Sequence, residues 1–360
     1  MSNEAKKIRK KIRKKKLGIA VDYGDFIIVR PRQNYRMNSN ITIIKGKNPI
    51  VIDSGTPRNP GIRLFKKTLS DYHIDPCSIK FIIITHEHQD HALNLFKMQR
   101  VCRNAKVICN LNVVHKVQHQ FSQYKGDDEI YKLMGISKMK SFVINIIFPL
   151  FFMVFYQTIP LFPRIDYYFS NKTKLSVLQL DKLTTIKSGD VKIWIIPTPG
   201  HSIGHLCILD SNGNLYLGDI VPSTPWIEPS EDALNDMILS IKNILTLDDK
   251  LVKLTVRAHG DFRKKKWEVS DWKDEKAKFE VFLDKILSSL EKIPLILKIP
   301  LTIQQITRVI FPRSLKYSSL MSLFTFSPSI SWSIAYCLKL EKDGKIQRKK
   351  IKNQLYWVKT

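Results

Sequence analysis

Acidic side chains are scarce in this chain: 32 Asp and Glu face 59 Lys and Arg over 360 residues, a formal charge of +27. That deficit invites an anionic partner, nucleic acid or a membrane surface. A chain rich in Lys, Ile and Asn reaches the same charge with no partner behind it. Cysteine is scarce as well. The five (Cys77, Cys102, Cys109, Cys207, Cys337) are odd in number and form no Cys-x-x-Cys pair. This argues against a disulfide scaffold or a cysteine zinc knot and points to a reducing, cytoplasmic setting. No segment repeats at a fixed period. Residues 1–18 form a basic arm, with nine Lys/Arg and one acid in the first 16 positions and no apolar run behind them. Such a stretch reads as solvated and self-repelling, not as a secretory signal. The rest is ordinary globular material, 44% hydrophobic and 10% aromatic, sufficient for a sizeable core.

Short β-branched runs broken by Gly, Pro and Asn predict strands at 26–29, 41–44 and 50–53. Phe81-Ile-Ile-Ile84 is a continuous apolar run suited to a strand covered on both faces, and 106–109 reads as a further strand. The strand pattern stops and then resumes at 191–196, 206–209, 215–217 and 251–256. Apolar spacing predicts helices at 61–72, 231–246 and 270–291. Strands alternating with helices, hairpins included, indicate a layered α/β protein.

The chemistry concentrates at strand ends. Directly after the 81–84 run comes Thr85-His86-Glu87-His88-Gln89-Asp90-His91. Imidazole and carboxylate groups this dense, on the turn leaving a buried strand, exceed what ordinary core contacts satisfy. They are also the borderline ligands of zinc, iron or manganese. Each later strand end adds one more: Thr198-Pro-Gly-His201, Gly218-Asp219 and Ala258-His259-Gly260. Five of the nine histidines lie in these four places, where α/β enzymes carry catalytic groups on loops.

The order His-x-His-x-Asp-His, Pro-Gly-His, Gly-Asp, His-Gly resembles the metallo-β-lactamase superfamily, in the hydrolase branch that includes glyoxalase II, over roughly residues 20–290. The resemblance implies an αββα sandwich, a catalytic domain over 19–293, and two divalent metal ions between the sheet edges. Zinc is the first choice, with iron or manganese as alternatives. Carried over by position, His86, His88 and His201 hold one metal, Asp90, His91 and His259 the other, and Asp219 bridges them. Asp53, in Ile-Asp-Ser-Gly, matches the family's first motif and is expected to orient the ligand loop rather than bind metal. His205 reads as structural. Two metals about 3.5–4 Å apart can share a water and bring its pKa toward about 7. The hydroxide then attacks a carbonyl or phosphorus, with Asp90 and Asp219 as the catalytic carboxylates, and no Ser or Cys nucleophile is needed. His88, where the flavodiiron pattern has Glu, disfavours reductive oxygen chemistry. A persulfide dioxygenase is a minor alternative.

Two regions fall outside that pattern. Within an apolar helical insertion at about 130–170, Ser141 to Pro163 carries no charge. Its length suits a transmembrane helix, but ligands lie on both sides of it in sequence and must meet at one site. A hairpin over the site, as added core, a lid for an acyl chain or a peripheral membrane contact, fits better. Residues 300–360 predict helices at 302–311 and 329–340, the second with Ile330, Ile334, Cys337 and Leu338 on one face. Strands at 345–351 and 355–358 complete the resemblance to a winged-helix domain. This segment holds eleven Lys/Arg against two acids, with Arg348, Lys349, Lys350 and Lys352 able to meet phosphates. Its second helix offers Ser331, Trp332, Ser333 and Tyr336, not a base-reading set, so sequence-specific DNA is not expected. The reading is a hydrolase of an ester, thioester or lactone, taking a small acyl substrate. The alternative is a ribonuclease or phosphodiesterase acting on single-stranded RNA. The oligomeric state is not encoded in any motif.

Overall fold

The structure, a computed structural model, describes residues 17–32, 39–56, 59–119, 128–134, 138, 142, 163–169, 183–223, 225–259, 268–312, 328–352 and 354–360. The basic arm and nearly all of the uncharged 141–163 segment lie outside the described residues.

In the amino-terminal half, β1 (Gly18–Asp22), β2 (Phe26–Pro31), β3 (Ile41–Ile44), β4 (Ile50–Ile52), β5 (Phe81–Ile83), β6 (Lys106–Asn110) and β7 (Tyr167–Phe169) form one sheet in that order. It is antiparallel from β1 to β4 and parallel from β4 to β7. The helices here are α1 (Asn59–Asp71), α2 (Gln89–Ala92), α3 (Leu95–Val101), α4 (Val114–Gln118) and α5 (Asp128–Leu133). The second sheet runs β13-β12-β11-β10-β9-β8, from β8 (Thr184–Ser188), β9 (Val191–Pro197), β10 (Leu206–Asp210), β11 (Asn214–Gly218), β12 (Leu254–Arg257) and β13 (Val269–Asp271). Helices α6 (Glu231–Leu245) and α7 (Trp272–Ile296) belong with it. The chain ends with α8 (Ile303–Ile310), α9 (Pro328–Lys342) and the hairpin β14 (Ile346–Ile351) and β15 (Gln354–Lys359).

The period-2 alternation of side chains assigns the layers. Phe26, Ile28, Ile50, Ile52 and Ile83 from the first sheet meet Ile193, Ile195, Leu206, Ile208 and Tyr216 from the second. The alternate residues of the first sheet, Ile27, Val29, Ile43, Val51 and Ile82, turn outward onto Leu64, Phe65 and Leu69 of α1. Those of the second sheet, Ile196, Cys207, Leu209, Leu215 and Leu217, turn onto α6 and α7. Two sheets face to face with helices outside each is the α/β architecture expected, and it fills both faces of the central strands. At about 25 cal/mol per Å² of apolar area buried, this three-layered core supplies the main driving force.

Most sequence-read elements lie within a few residues of these bounds, but the carboxy-terminal segment departs from the one-faced helix expected of it. Trp332, Tyr336 and Ile334 of α9, with Trp357 of β15, lie in the same apolar cluster as Leu234 of α6 and Phe279 of α7. Ser331 and Ser333 are buried as well, while Ile330 and Leu338 are only partly so. The helix is covered nearly all round, and Trp332 and Tyr336, which offered no base-reading set, pack in the cluster that holds α6 and α7. The exposed charge lies on the hairpin, where Lys349 and Lys350 of β14 face solvent.

Candidate metal centre

Each candidate donor sits where a buried strand stops. The β5 ladder continues one residue past the strand, with Ile84 N–H on Ile108 O, and Thr85 then turns the chain. His86 follows, His88 caps α2, and Asp90 and His91 lie in that short helix. Beyond β9, His201 follows Gly200, which has φ +133° and whose Cβ would lie 2.6 Å from the Met237 backbone of α6. Only glycine tolerates that approach. Beyond β11, Gly218 has φ +54°, and a Cβ there would meet His205 Nε2 at 2.6 Å. Asp219 comes next. Beyond β12, Ala258 N–H bonds Gly218 O and places His259 beside it.

All seven side chains singled out in the sequence converge. They form two groups, His86, His88, His201 and Asp219 in one and Asp90, His91 and His259 in the other, with donor atoms within 4.8 Å of one another in each. In the first, His201 Nε2 lies 3.2 Å from His86 Nε2, 2.8 Å from His88 Nδ1 and 3.4 Å from Asp219 Oδ2. In the second, His259 Nε2 lies 3.3 Å from His91 Nε2 and 3.3 Å from Asp90 Oδ2. Asp219 faces both: Oδ2 turns to His201 and His86 and also lies 3.3 Å from His259 Nε2, while Oδ1 lies 3.1 Å from His259 Nε2 and 3.4 Å from His91 Nε2. That Oδ1 is shielded from solvent without an aligned hydrogen bond.

Surrounding groups settle the tautomers. His201 Nδ1–H donates to the Trp226 carbonyl, which leaves its Nε2 lone pair aimed at the first group. His91 Nδ1–H donates to Asp53 Oδ2 at 2.7 Å, which aims Nε2 at the second. Asp53 accepts in addition the Thr85 N–H at 2.8 Å and the Thr85 hydroxyl at 2.9 Å, and that hydroxyl accepts from His86 Nδ1 at 3.1 Å. One buried carboxylate therefore orients a histidine in each group, as anticipated for Asp53 from its motif. His205 stands outside both groups: its Nε2 accepts the Asp219 N–H at 3.0 Å and its Nδ1 pairs with Thr198 Oγ1 at 2.8 Å. Ser54 holds His91 by its carbonyl, which accepts from both the N–H and the hydroxyl of Ser54. Glu87 turns away to Lys116 at 3.2 Å. Thr85 and the Trp226 carbonyl escaped the sequence reading. The first stood inside the motif, but the second is a backbone group and carries no residue-type signal.

The electrostatics differ between the groups. Burial, then the neighbouring His91, His88 and His201, hold His86 well below the ordinary imidazole value. Burial and His88 bring His201 down to about 4. In the second group burial works the same way but is outweighed. Asp219, Asp53 and Asp90 raise His91 well above its ordinary value, and Asp219 and Asp90 raise His259 to about 9. Asp219 itself is held well below the carboxylate range, because His259 and His91 outweigh its burial.

This donor set fits metal ions. Neutral imidazole lone pairs point at one another in the first group, and carboxylates draw positive charge into the second. At a zinc–nitrogen distance of 2.0–2.1 Å, two ligands of a tetrahedral ion stand about 3.3 Å apart, close to the 3.2 and 3.3 Å separations above. The second group meets solvent through His259, 35% exposed, and Asp90, 17%, and the shared Asp219 is 13% exposed, whereas His86 and His91 are fully enclosed.

The fold is similar to a metallo-beta-lactamase family protein from Thermus thermophilus, at 14% identity and TM-score 0.66, over 93% of this chain and 99% of that one. It is similar to the same degree, at 14% identity and TM-score 0.66, to a beta-lactamase domain protein from Burkholderia ambifaria, over 96% and 94% of the two chains. At such identities the likeness is one of fold. No curated protein matches the sequence. The family model described as the metallo-beta-lactamase superfamily matches residues 34–263 and so spans most of the strands and all seven donors; the chain belongs to the metallo-β-lactamase superfamily.

Proposed function

We propose that the protein is a two-metal hydrolase of an ester, thioester or lactone. The observation that carries this reading is Asp219, a carboxylate that stands between the two groups of donors and lies within 3.4 Å of histidines in each. His86, His88 and His201 would hold one ion and Asp90, His91 and His259 the other, with Asp219 available to both. When bound, such a pair supplies Lewis acidity, lowering the pKa of water and polarising the oxygen of a carbonyl or phosphoryl group. The protein's own part is orientation. Asp53 keeps a proton on His91 Nδ1, the Trp226 carbonyl keeps one on His201 Nδ1, and both Nε2 lone pairs face inward. Asp90, beside His259 and 17% exposed, turns Oδ2 toward the second group. The Trp226 ring stands edge-on to His88, 5.3 Å between centroids, and walls the first group with apolar surface.

Water, not a side chain, is the nucleophile in this reading. The thiols of Cys102, Cys109 and Cys207 are buried and burial pushes each up to about 12. Such thiols carry almost no thiolate at neutral pH.

The glyoxalase II-like placing rests on the ligand order and on the short spacing between Asp219 and His259. Residues 300–360 keep the helix–helix–hairpin order of a winged helix; we assign them to walling the site rather than to reading nucleic acid, since α9 is covered. The exposed Lys349 and Lys350 favour RNA as the second reading. Metal-loaded protein is assayed on acyl-thioester, ester and lactone panels and on labelled single-stranded RNA, before and after chelation. Thioester or lactone hydrolysis that chelation abolishes supports the first reading. RNA cleavage with steep salt dependence supports the second. Turnover that survives chelation defeats both.

A further inference from the structure

An indole from the far end of the chain reaches the segment that steers His201. Trp332 of α9 is fully buried, and its Nε1–H donates to the Pro225 carbonyl at 2.7 Å. The next carbonyl along, that of Trp226, accepts from His201 Nδ1. The Pro225 carbonyl and the Trp226 N–H share one planar peptide unit. Fixing the first therefore leaves only the two dihedrals of Trp226 to aim its own carbonyl. Ile227, fully buried, secures the other side. The indole has little freedom of its own, because Phe282 of α7 meets it edge-on at 5.7 Å and Tyr336 lies against it at 5.7 Å. The stretch between β11 and α6 thus carries Asp219 at one end and the carbonyl that orients His201 near the other.

We propose that Trp332 is a positioning residue for the metal centre: its N–H latches Pro225, so the carboxy-terminal helix sets the aim of His201 without touching a donor. The proposal rests on the metal-centre reading above. It assigns the carboxy-terminal segment a role in metal affinity, one that a covering surface alone does not have. Loss of a partner that orients a ligating histidine costs typically 10–100-fold in affinity.

The experiment compares Trp332→Phe with Trp357→Phe. Trp357 is equally buried in the same apolar cluster, and its Nε1 makes no hydrogen bond. Zinc is titrated against a chromophoric chelator, and the cobalt-loaded proteins are examined by visible absorption, with melting temperature measured alongside. Trp332→Phe is expected to weaken one of two zinc constants by about tenfold and to alter the cobalt bands, while Trp357→Phe changes only the melting temperature. If Trp332→Phe does not fold, site-specific replacement of Trp332 by its sulfur isostere, benzothienylalanine, removes the N–H and leaves the ring. Wild-type constants and bands in the folded variant, or equal shifts in both tryptophan variants, overturn the latch and leave the metal centre standing. Wild-type protein that takes up no metal overturns the metal centre and the latch with it.

Discussion

The two donor groups share Asp219 yet are built on opposite electrostatic principles. The first gathers three histidines from two loops and holds all three below the ordinary imidazole value, chiefly by burial, with His201 near 4. The second sets two histidines among Asp53, Asp90 and Asp219, and His259 rises to about 9. His86 in the first and His91 in the second are fully enclosed, while His259 of the second is 35% exposed. A pair of ions held this way would be unequal, one facing imidazoles kept low by burial and by one another, the other facing imidazoles drawn up by carboxylates. Burial pushes the imidazoles of both groups down, and nearby carboxylates decide which are drawn back up, because an opposite charge favours the ionised form where desolvation opposes it.

Four experiments break or sharpen that comparison, and a fifth probes the turn that carries Asp219. Asp219→Ala removes the group common to both sides and is expected to lower kcat about 10³-fold or more; activity within tenfold of wild type would separate the two groups functionally. Chelation follows, and removes roughly 4 kcal/mol of apparent stability per site at free metal a thousandfold above Kd, read as a fall in melting temperature that zinc restores. His201→Ala and His259→Ala are then expected to lose one ion each, leaving metal content near one per chain by elemental analysis. Loss of both ions in either variant would make the groups a single cooperative site. Asp53→Asn is predicted to weaken metal binding by about 10–100-fold, chiefly in the second group, where it bonds His91 directly and His86 only through Thr85. The smallest effect is expected from Gly218→Ala, a cost of about 1–2 kcal/mol in unfolding free energy from the left-handed backbone, with His205 displaced and metal content kept at two.

The site was more legible than its surroundings for a definite reason. His86, His88, Asp90 and His91 are too many ligating groups in one turn for a core to absorb, and Pro-Gly-His201, Gly-Asp219 and His259-Gly each stand just past a run of β-branched residues. Strand, then turn, then donor is a local signal. The layers were legible for the same reason, since Ile27 and Val29 part from Phe26 and Ile28 by alternation alone. The C-terminal helix was not. The face read from Ile330, Ile334, Cys337 and Leu338 is a correct helical period, yet the buried set runs through Ser329, Ser331 and Ser333 as well. Serine carries no burial signal, and small hydroxyl residues are buried readily when their Oγ can bond the preceding turn, as Ser333 does to Ser329 O.

From sequence alone came the donor types, their order along the chain and the strands that deliver them, because ligand chemistry and strand periodicity are properties of neighbouring residues. The grouping of the donors was carried over by resemblance, and only the tertiary structure brought them within reach of one another and showed an indole more than a hundred positions away on the peptide behind His201. Those are relations between segments brought together by the packing of two sheets and their outer helices, and a backbone carbonyl's aim leaves no trace in residue identity.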